Sequence, residues 1–155
     1  MKKMNNKGFS MVELIIVIAI MAILAGAIAP TLIKYVNKSR MSSDVSNAQT
    51  IATSVQSALA NQAANDDFQN NIATGGSYSG AISTLAASTG SFGVELKGIL
   101  GNAPSVKYTK GLELSPKFYV YIQSGGSSAD KVKVYVKDSS NGEIELYPNV
   151  NAAYE

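Results

Sequence analysis

Residues 14–33 read LIIVIAIMAILAGAIAPTLI, twenty residues without a charged side chain. As an α-helix with a rise of about 1.5 Å per residue, this stretch is about 30 Å long, which matches the hydrocarbon thickness of a bilayer. Apolar residues surround the whole helix, so it has to be buried in lipid or against other protein. The stretch therefore predicts a buried or membrane-crossing helix near the start of the chain.

The composition of the remaining chain narrows the classes of function. The 155 residues suffice for about one domain, and they include neither cysteine nor histidine. This removes disulfides, thiolate metal sites and the commonest acid–base catalyst. From Met41 onward seven lysines face ten acidic residues, so no basic surface for nucleic acid is expected. We predict no enzymatic activity, no catalytic or metal site, no cofactor and no nucleic-acid partner.

The residues before the apolar stretch leave three interpretations open. They read MKKMNNKG up to Gly8, then Phe9, with Glu13 beside the apolar stretch. A secretory signal peptide would be cleaved after the small residues at 25–27 or 27–29, but Pro30 directly follows and signal peptides seldom carry an acid such as Glu13. A plain single-span anchor gives neither Gly8 nor Glu13 a role. The third interpretation uses both residues.

Residues 1–40 resemble the leader and first helix of type IV prepilins, which share the short basic leader ending in glycine, the phenylalanine after it, the glutamate and the uncharged span. The resemblance implies that a prepilin peptidase cuts between Gly8 and Phe9 and N-methylates Phe9. It also implies that Glu13 serves filament assembly by pairing with the Phe9 amine of a neighbouring subunit. An ionised carboxylate at membrane depth costs on the order of 3 kcal/mol unless it has a partner. The local alternative is that Glu13 complements the positive end of its own helix.

The family's biology supplies the expected function. The resemblance implies a pilin that is held in the cell membrane with its N-terminus in the cytoplasm. Assembly machinery then polymerises it with copies of itself into an extracellular pilus for adhesion, motility or DNA uptake. One alternative is a pseudopilin of a type II secretion or competence machine, and a more distant one is a secreted protein with a signal peptide. Because many Gram-negative pilins close a C-terminal loop with a disulfide, the lack of cysteine favours a Gram-positive source.

Gly26 and Pro30 fall inside the predicted apolar helix. Proline has no N–H to donate and its ring clashes with the carbonyl four residues earlier, so we expect a helix break or bend here. A harmless kink is the simpler interpretation. Pilin-like filaments often melt this stretch on assembly, which is what the resemblance implies for this segment.

The predicted organisation has four parts: a removed leader (1–8), a transmembrane or filament-core helix (9–33), an amphipathic continuation of that helix (34–64) and a globular head (65–155). The continuation carries apolar residues every three or four positions, which indicates a stripe packed on a core. Residues 65–103 are rich in glycine, serine and asparagine and predict a variable connection, with short helices around Ala81–Ser88 and Val94–Leu100.

The C-terminal third predicts an antiparallel sheet. Phe118, Val120 and Ile122 alternate with polar residues, as do the valines at 132, 134 and 136 and then Ile144 and Leu146. Gly125-Gly126 and Asn141-Gly142 supply turns, and Val106–Leu114 is a candidate edge hairpin. The fold class is therefore α+β: a long N-terminal helix packed on a three- to four-stranded antiparallel sheet. The outward tyrosines indicate an ordinary solvated face, with a glycan- or surface-binding role as the alternative.

Parity restricts the last hairpin. Residues opposite each other in an antiparallel pair share a face, so Val136 has to oppose Ile144 or Leu146, and the loop has an odd number of residues. We predict the loop Ser140-Asn141-Gly142 with Gly142 in the left-handed conformation. This register sets Lys137 opposite Glu145 and Val136 opposite Leu146.

Overall fold

A computed structural model describes residues 8–73, 76–113, 115–123 and 132–154. The chain divides into two compact units, Met1–Asn37 and Lys38–Glu155. The predicted leader, apart from Gly8, and the predicted Gly125-Gly126 turn lie outside the described residues.

Helix α1, Met11–Ala60, is 50 residues long and runs through the end of the first unit into the second. Its residues in the second unit show the predicted stripe, because side chains at intervals of three or four positions are fully buried. These residues are Ala48, Ile51, Ala52, Val55 and Ala58. The sequence pattern therefore located the face of α1 that packs on the core of the second unit.

Helix α1 ends four residues before the predicted position near Ala64. Asn61 adopts an extended backbone, and its Oδ1 accepts hydrogen bonds from the N–H groups of Ala63 (3.0 Å) and Ala64 (3.3 Å). A side chain that caps a new helix competes with continuation of the old one. Helix α2, Gln62–Asp67, starts here and is followed by a π-helical turn, Phe68–Ile72.

The second unit contains one four-stranded antiparallel sheet in the order β1-β2-β3-β4. The elements after the π-helical turn, in chain order, are β1 (Ser77–Ala81), α3 (Ile82–Ala86), α4 (Ser91–Leu100), β2 (Tyr119–Gln123), β3 (Val132–Lys137), β4 (Glu143–Tyr147) and a 3-10 turn (Ala152–Tyr154). The α+β class and both short predicted helices are confirmed.

The fourth strand is not where the sequence predicted it. Residues 77–81, taken as part of a variable loop, form β1 and pair with β2, from Ser77 opposite Gln123 to Ala81 opposite Tyr119. Of the proposed Val106–Leu114 hairpin, the described residues form only an isolated bridge between Leu112 and Asp138, and Leu114 lies outside them. The hairpin prediction was wrong because the N–H groups of residues 107 and 108 donate to a side chain of α1 and not to a strand.

The predicted apolar faces of the strands form the core. Val120, Ile122, Val134 and Val136 are fully buried, and Leu146 is 1% exposed. They pack with the stripe of α1 and with large side chains of the connecting segments, namely Phe68, Phe92, Phe118, Ile82 and Leu96. Burial of this size is the main stabilising contribution available to a chain without disulfides.

The last hairpin has the predicted parity but not the predicted register. Val136 lies opposite Ile144, and Lys137 lies opposite Glu143 rather than Glu145. Five residues, 138–142, connect the two strands instead of the predicted three, and a hydrogen bond from Asp138 N–H to the Gly142 carbonyl (2.9 Å) lies inside this connection. Asn141, with a φ of 66°, takes the left-handed conformation in place of Gly142. A bulge between Val134 and Tyr135 then shifts the pairing by one residue, so that Val134 lies opposite Tyr147.

Asp138 explains the observed loop. Its Oδ1 accepts hydrogen bonds from the N–H groups of Ser140 and Gly142, both at 2.8 Å. A Cβ atom added at Gly142 would lie 2.8 Å from Asp138 Oδ2 and would displace that carboxylate, so glycine serves close approach here rather than a left-handed backbone. Asparagine is the residue other than glycine that tolerates the left-handed conformation best, which allows Asn141 to take that role.

Candidate functional site

The start of α1 is a reciprocal capping arrangement. Ser10 Oγ accepts a hydrogen bond from Val12 N–H (3.3 Å), and Glu13 Oε2 accepts one from Ser10 N–H (2.9 Å). This is a variant of the capping box, in which Ser-x-x-Glu satisfies two N–H groups that the helix itself leaves unpaired and the serine accepts that of the second helical residue, Val12. The Ser10-x-x-Glu13 spacing was a signal for it that our sequence reasoning did not use. Glu13 thus has a local role in the single chain.

The predicted cleavage bond lies directly before this box. Phe9 is 81% exposed, and an added Cβ atom at Gly8 would meet no atom within 4 Å. Both residues lie outside the helix. The bond between them therefore lies in an accessible, non-helical segment, which is a condition for cleavage by any peptidase.

The described residues of the first unit expose a continuous apolar surface. The large side chains that are between 40% and 81% exposed include Met11, Val12, Leu14, Ile15, Ile16, Ile18, Ile20, Met21, Ile23, Leu24, Ile28, Leu32 and Ile33. By length and composition, α1 can cross a membrane. Soluble monomers rarely expose apolar patches above a few hundred Å². Lipid or other protein chains must therefore cover this surface.

Gly26 and Pro30 both lie within α1, whose helical assignment is uninterrupted around them. Pro30 cannot donate a hydrogen bond to the carbonyl of Gly26, four residues earlier. An added Cβ atom at Gly26 would meet nothing within 4 Å. In the single chain, α1 thus stays helical at Gly26 and Pro30, where a backbone hydrogen bond is missing. A helix break at these residues in an assembly stays a prediction.

Asp44 joins α1 to the loop before β2. It is fully buried, and its two oxygens accept hydrogen bonds from the N–H groups of Lys107 (2.7 Å) and Tyr108 (2.8 Å). Burial raises the pKa of Asp44, although both hydrogen bonds oppose the shift. Tyr154 contacts Tyr108 edge-to-face at 5.6 Å between ring centroids. Burial and the nearby Asp44 carboxylate raise the pKa of Tyr154.

Asp67 caps a helix that is distant in sequence. Its Oδ2 accepts a hydrogen bond from Phe92 N–H (2.9 Å) in the first turn of α4, and its Oδ1 accepts one from Asn71 Nδ2 (2.9 Å). The hydrogen bond from Phe92 is the main reason that the pKa of Asp67 is lowered. Sequence reasoning did not identify this role of Asp67, because its partner Phe92 is 25 residues away.

No group of three or more potential metal ligands occurs among the residues that the structure describes. The candidate site is therefore taken from α1 and the residues before it: the Gly8–Phe9 bond, Glu13 and the exposed apolar face of α1.

Parts of the chain are similar to known proteins. Residues 3–29 match the family model of the prokaryotic N-terminal methylation motif. The chain is 35% identical over 68 residues to the type IV major pilin protein PilA of Myxococcus xanthus (strain DK1622). The match covers 44% of this chain and 31% of that relative, so the chain spans about a third of the relative's length. No solved structure matches the chain. Together, the motif and the relative confirm the resemblance to type IV pilins.

Proposed function

We propose that this chain is the structural subunit of a type IV pilus, and not an enzyme. It is cut between Gly8 and Phe9, held in the membrane by the apolar part of α1, and then polymerised into an extracellular filament. The observation that carries the proposal is the exposed apolar surface of α1 directly behind an accessible Gly8–Phe9 bond. Such a surface has to be shielded from water at every stage. Lipid would surround it before assembly, and neighbouring copies of α1 would surround it in the filament.

Glu13 provides the polar element of this surface. One of its oxygens accepts the Ser10 N–H, but a carboxylate can accept about four hydrogen bonds. Cleavage would create a positively charged amine at Phe9. The remaining acceptor capacity of Glu13 is available for the Phe9 amine of a neighbouring copy, and an unpartnered charge in an apolar surrounding is costly. The pair would therefore align one subunit against the next.

The first test is the N-terminus of the mature protein. Mass spectrometry of the protein from the membrane should show N-methylated Phe9, and Gly8→Val should leave uncut precursor because the bulkier residue hinders access to the bond. Gly26→Val, which also replaces an unhindered glycine, should be cut normally. A mature protein starting at Ile28 or Pro30 would instead identify a secretory signal peptide.

The second test separates the two roles of Glu13. Glu13→Gln preserves an acceptor for the capping box but removes the charge, whereas Glu13→Val removes both. Ser10→Ala is the matched control, since it weakens the cap and keeps the charge. We expect all three variants in the membrane and filaments only from Ser10→Ala, as seen by electron microscopy. Abundant filaments from Glu13→Gln would show that capping is sufficient and would refute the charge pairing.

A further inference from the structure

The outward face of the sheet, opposite the core, contains a groove of about 660 Å³. Side chains from all four strands line it, together with Asn151 from the segment after β4. Its size lies within the range of about 300–1,000 Å³ that is typical of small-molecule sites. All its lining residues belong to the second unit. The outward face, for which the sequence indicated an ordinary solvated surface, therefore carries a groove.

A buried tyrosine takes part in the lining of this groove. Tyr135 is only 4% exposed although it lies on the outward face, and its hydroxyl is 3.0 Å from Ser79 Oγ. Its ring stacks on that of Tyr119 with centroids 5.6 Å apart. Burial raises the pKa of Tyr135, and so do the charge of Glu143 and a hydrogen bond to its side chain, so the phenol stays neutral and its hydroxyl is held between Ser79 and Glu143. These contacts hold the position of this polar group.

The polar groups at the side of the groove are also positioned. Glu145 Oε1 accepts a hydrogen bond from Asn149 N–H (3.2 Å), and the Glu145 carbonyl accepts one from Asn151 N–H (2.9 Å). Tyr121 is half-buried and lies directly opposite Lys133 in the register. The side chains of Glu145 and Asn151 each accept a hydrogen bond from a backbone N–H, that of Asn149 and that of Ala153, so a ligand would meet two preorganised polar groups.

We propose that this groove binds a non-acidic oligosaccharide. A sugar presents many hydroxyl groups, which both donate and accept hydrogen bonds. The groove offers carboxylate acceptors in Glu143 and Glu145, an ammonium donor in Lys133 and the side-chain amide of Asn151. The ring of Tyr121 offers an apolar surface for the C–H face of a pyranose. Two carboxylates against one ammonium group make the lining net negative, which disfavours sugars that carry carboxylates. This inference does not depend on the proposed filament function.

The test uses the full chain in a zwitterionic detergent, because detergents with sugar head groups would compete. Saturation-transfer NMR and titration would compare three trisaccharides: N-acetylglucosamine, glucosamine and galacturonic acid trimers. We expect binding of the first two and at least about tenfold weaker binding of the third. Trilysine serves as the probe for a cationic peptide. Binding of trilysine without either non-acidic sugar, or equal binding of the galacturonic acid trimer, would overturn the proposal.

Variants then locate the binding. Tyr121→Ala and Glu143→Gln should each weaken sugar binding by about tenfold. Tyr35→Ala and Glu95→Gln change a tyrosine and a glutamate outside the groove and should leave it unchanged. Thermal unfolding of each variant establishes that the fold is intact. Absence of sugar binding by the folded wild-type chain, or binding that both groove variants retain in full, would refute the assignment.

Discussion

Removal of the Asp44 carboxylate should loosen the loop at residues 107–108. In Asp44→Ala both N–H groups lose their acceptor, and each unpaired buried donor costs about 1–3 kcal/mol. The two donors are only partly buried, so water can replace some of the loss, and we expect about 2–4 kcal/mol in total. Asp44→Asn keeps one acceptor and turns an amide donor toward the other N–H group. Its expected cost is about 1–3 kcal/mol.

The measurement is thermal unfolding of the full chain in detergent, followed by near-UV circular dichroism. The chain has eight tyrosines and no tryptophan, so this signal reports tyrosine environments, including those of Tyr108 and Tyr154. A loss of about 2 kcal/mol should lower the midpoint by on the order of 5–10 °C. Asp66→Asn, at an exposed acid, should stay within about 0.5 kcal/mol of wild type. An equally small effect of Asp44→Ala would refute the reasoning.

The pH dependence provides a second check with a defined sign. Because burial raises the pKa of Asp44, the folded state binds the proton more tightly than the unfolded state does. The contribution of this group to stability is therefore fully present below the unfolded value of about 3.8, and it is lost as pH rises through the folded pKa. Relative to Asp44→Asn, wild type should gain stability on acidification. A loss would mean that the hydrogen bonds outweigh burial.

Two further predictions concern α4. Asp67→Ala should destabilise the second unit by about 0.5–2 kcal/mol and speed hydrogen exchange at Phe92 N–H, whereas the control Asp66→Ala should change neither. Because the pKa of Asp67 is lowered in the folded state, the stability that this carboxylate contributes is present above about pH 3.8 and is lost as pH falls through the folded pKa. A slower exchange in Asp67→Ala, or the opposite pH trend, would contradict the cap. Gly90→Ala should destabilise the protein, because a Cβ atom there would collide with the Asp67 carboxylate. Gly98→Ala should instead stabilise it by about 0.5–1 kcal/mol, because Gly98 lies within α4 and a Cβ atom there would meet no other atom within 4 Å. Equal midpoints of the two variants in thermal unfolding would contradict this contrast.

The features that the sequence predicted well depend on local or periodic patterns. The buried stripe of α1 and the apolar faces of β2, β3 and β4 follow from periods of 3.6 and 2, which the residue types alone reveal. The short helices α3 and α4 also follow from local composition. The N-terminal resemblance likewise rests on one contiguous segment, and the family comparison confirms it.

The features that the sequence did not reveal depend on contacts between distant residues. Strand β1 has glycine and serine in place of typical strand residues, and it forms because β2 offers a free edge for pairing. The role of Asp44 requires a loop 63 residues later, and that of Asp67 requires a helix 25 residues later. The groove needs four strands and the returning chain to come together. None of these contacts leaves a periodic signal.

The last hairpin shows a register that one polar side chain supports. Parity alone allows Val136 to lie opposite Ile144 or Leu146, so the pattern of apolar residues does not choose between the two pairings. In the observed pairing, with Ile144, the Asp138 carboxylate accepts the N–H groups of Ser140 and Gly142 and adds a preference that the pattern does not supply. The agreement of local and global preferences that makes a landscape minimally frustrated thus comes, in this part of the chain, from a polar turn as well as from the core.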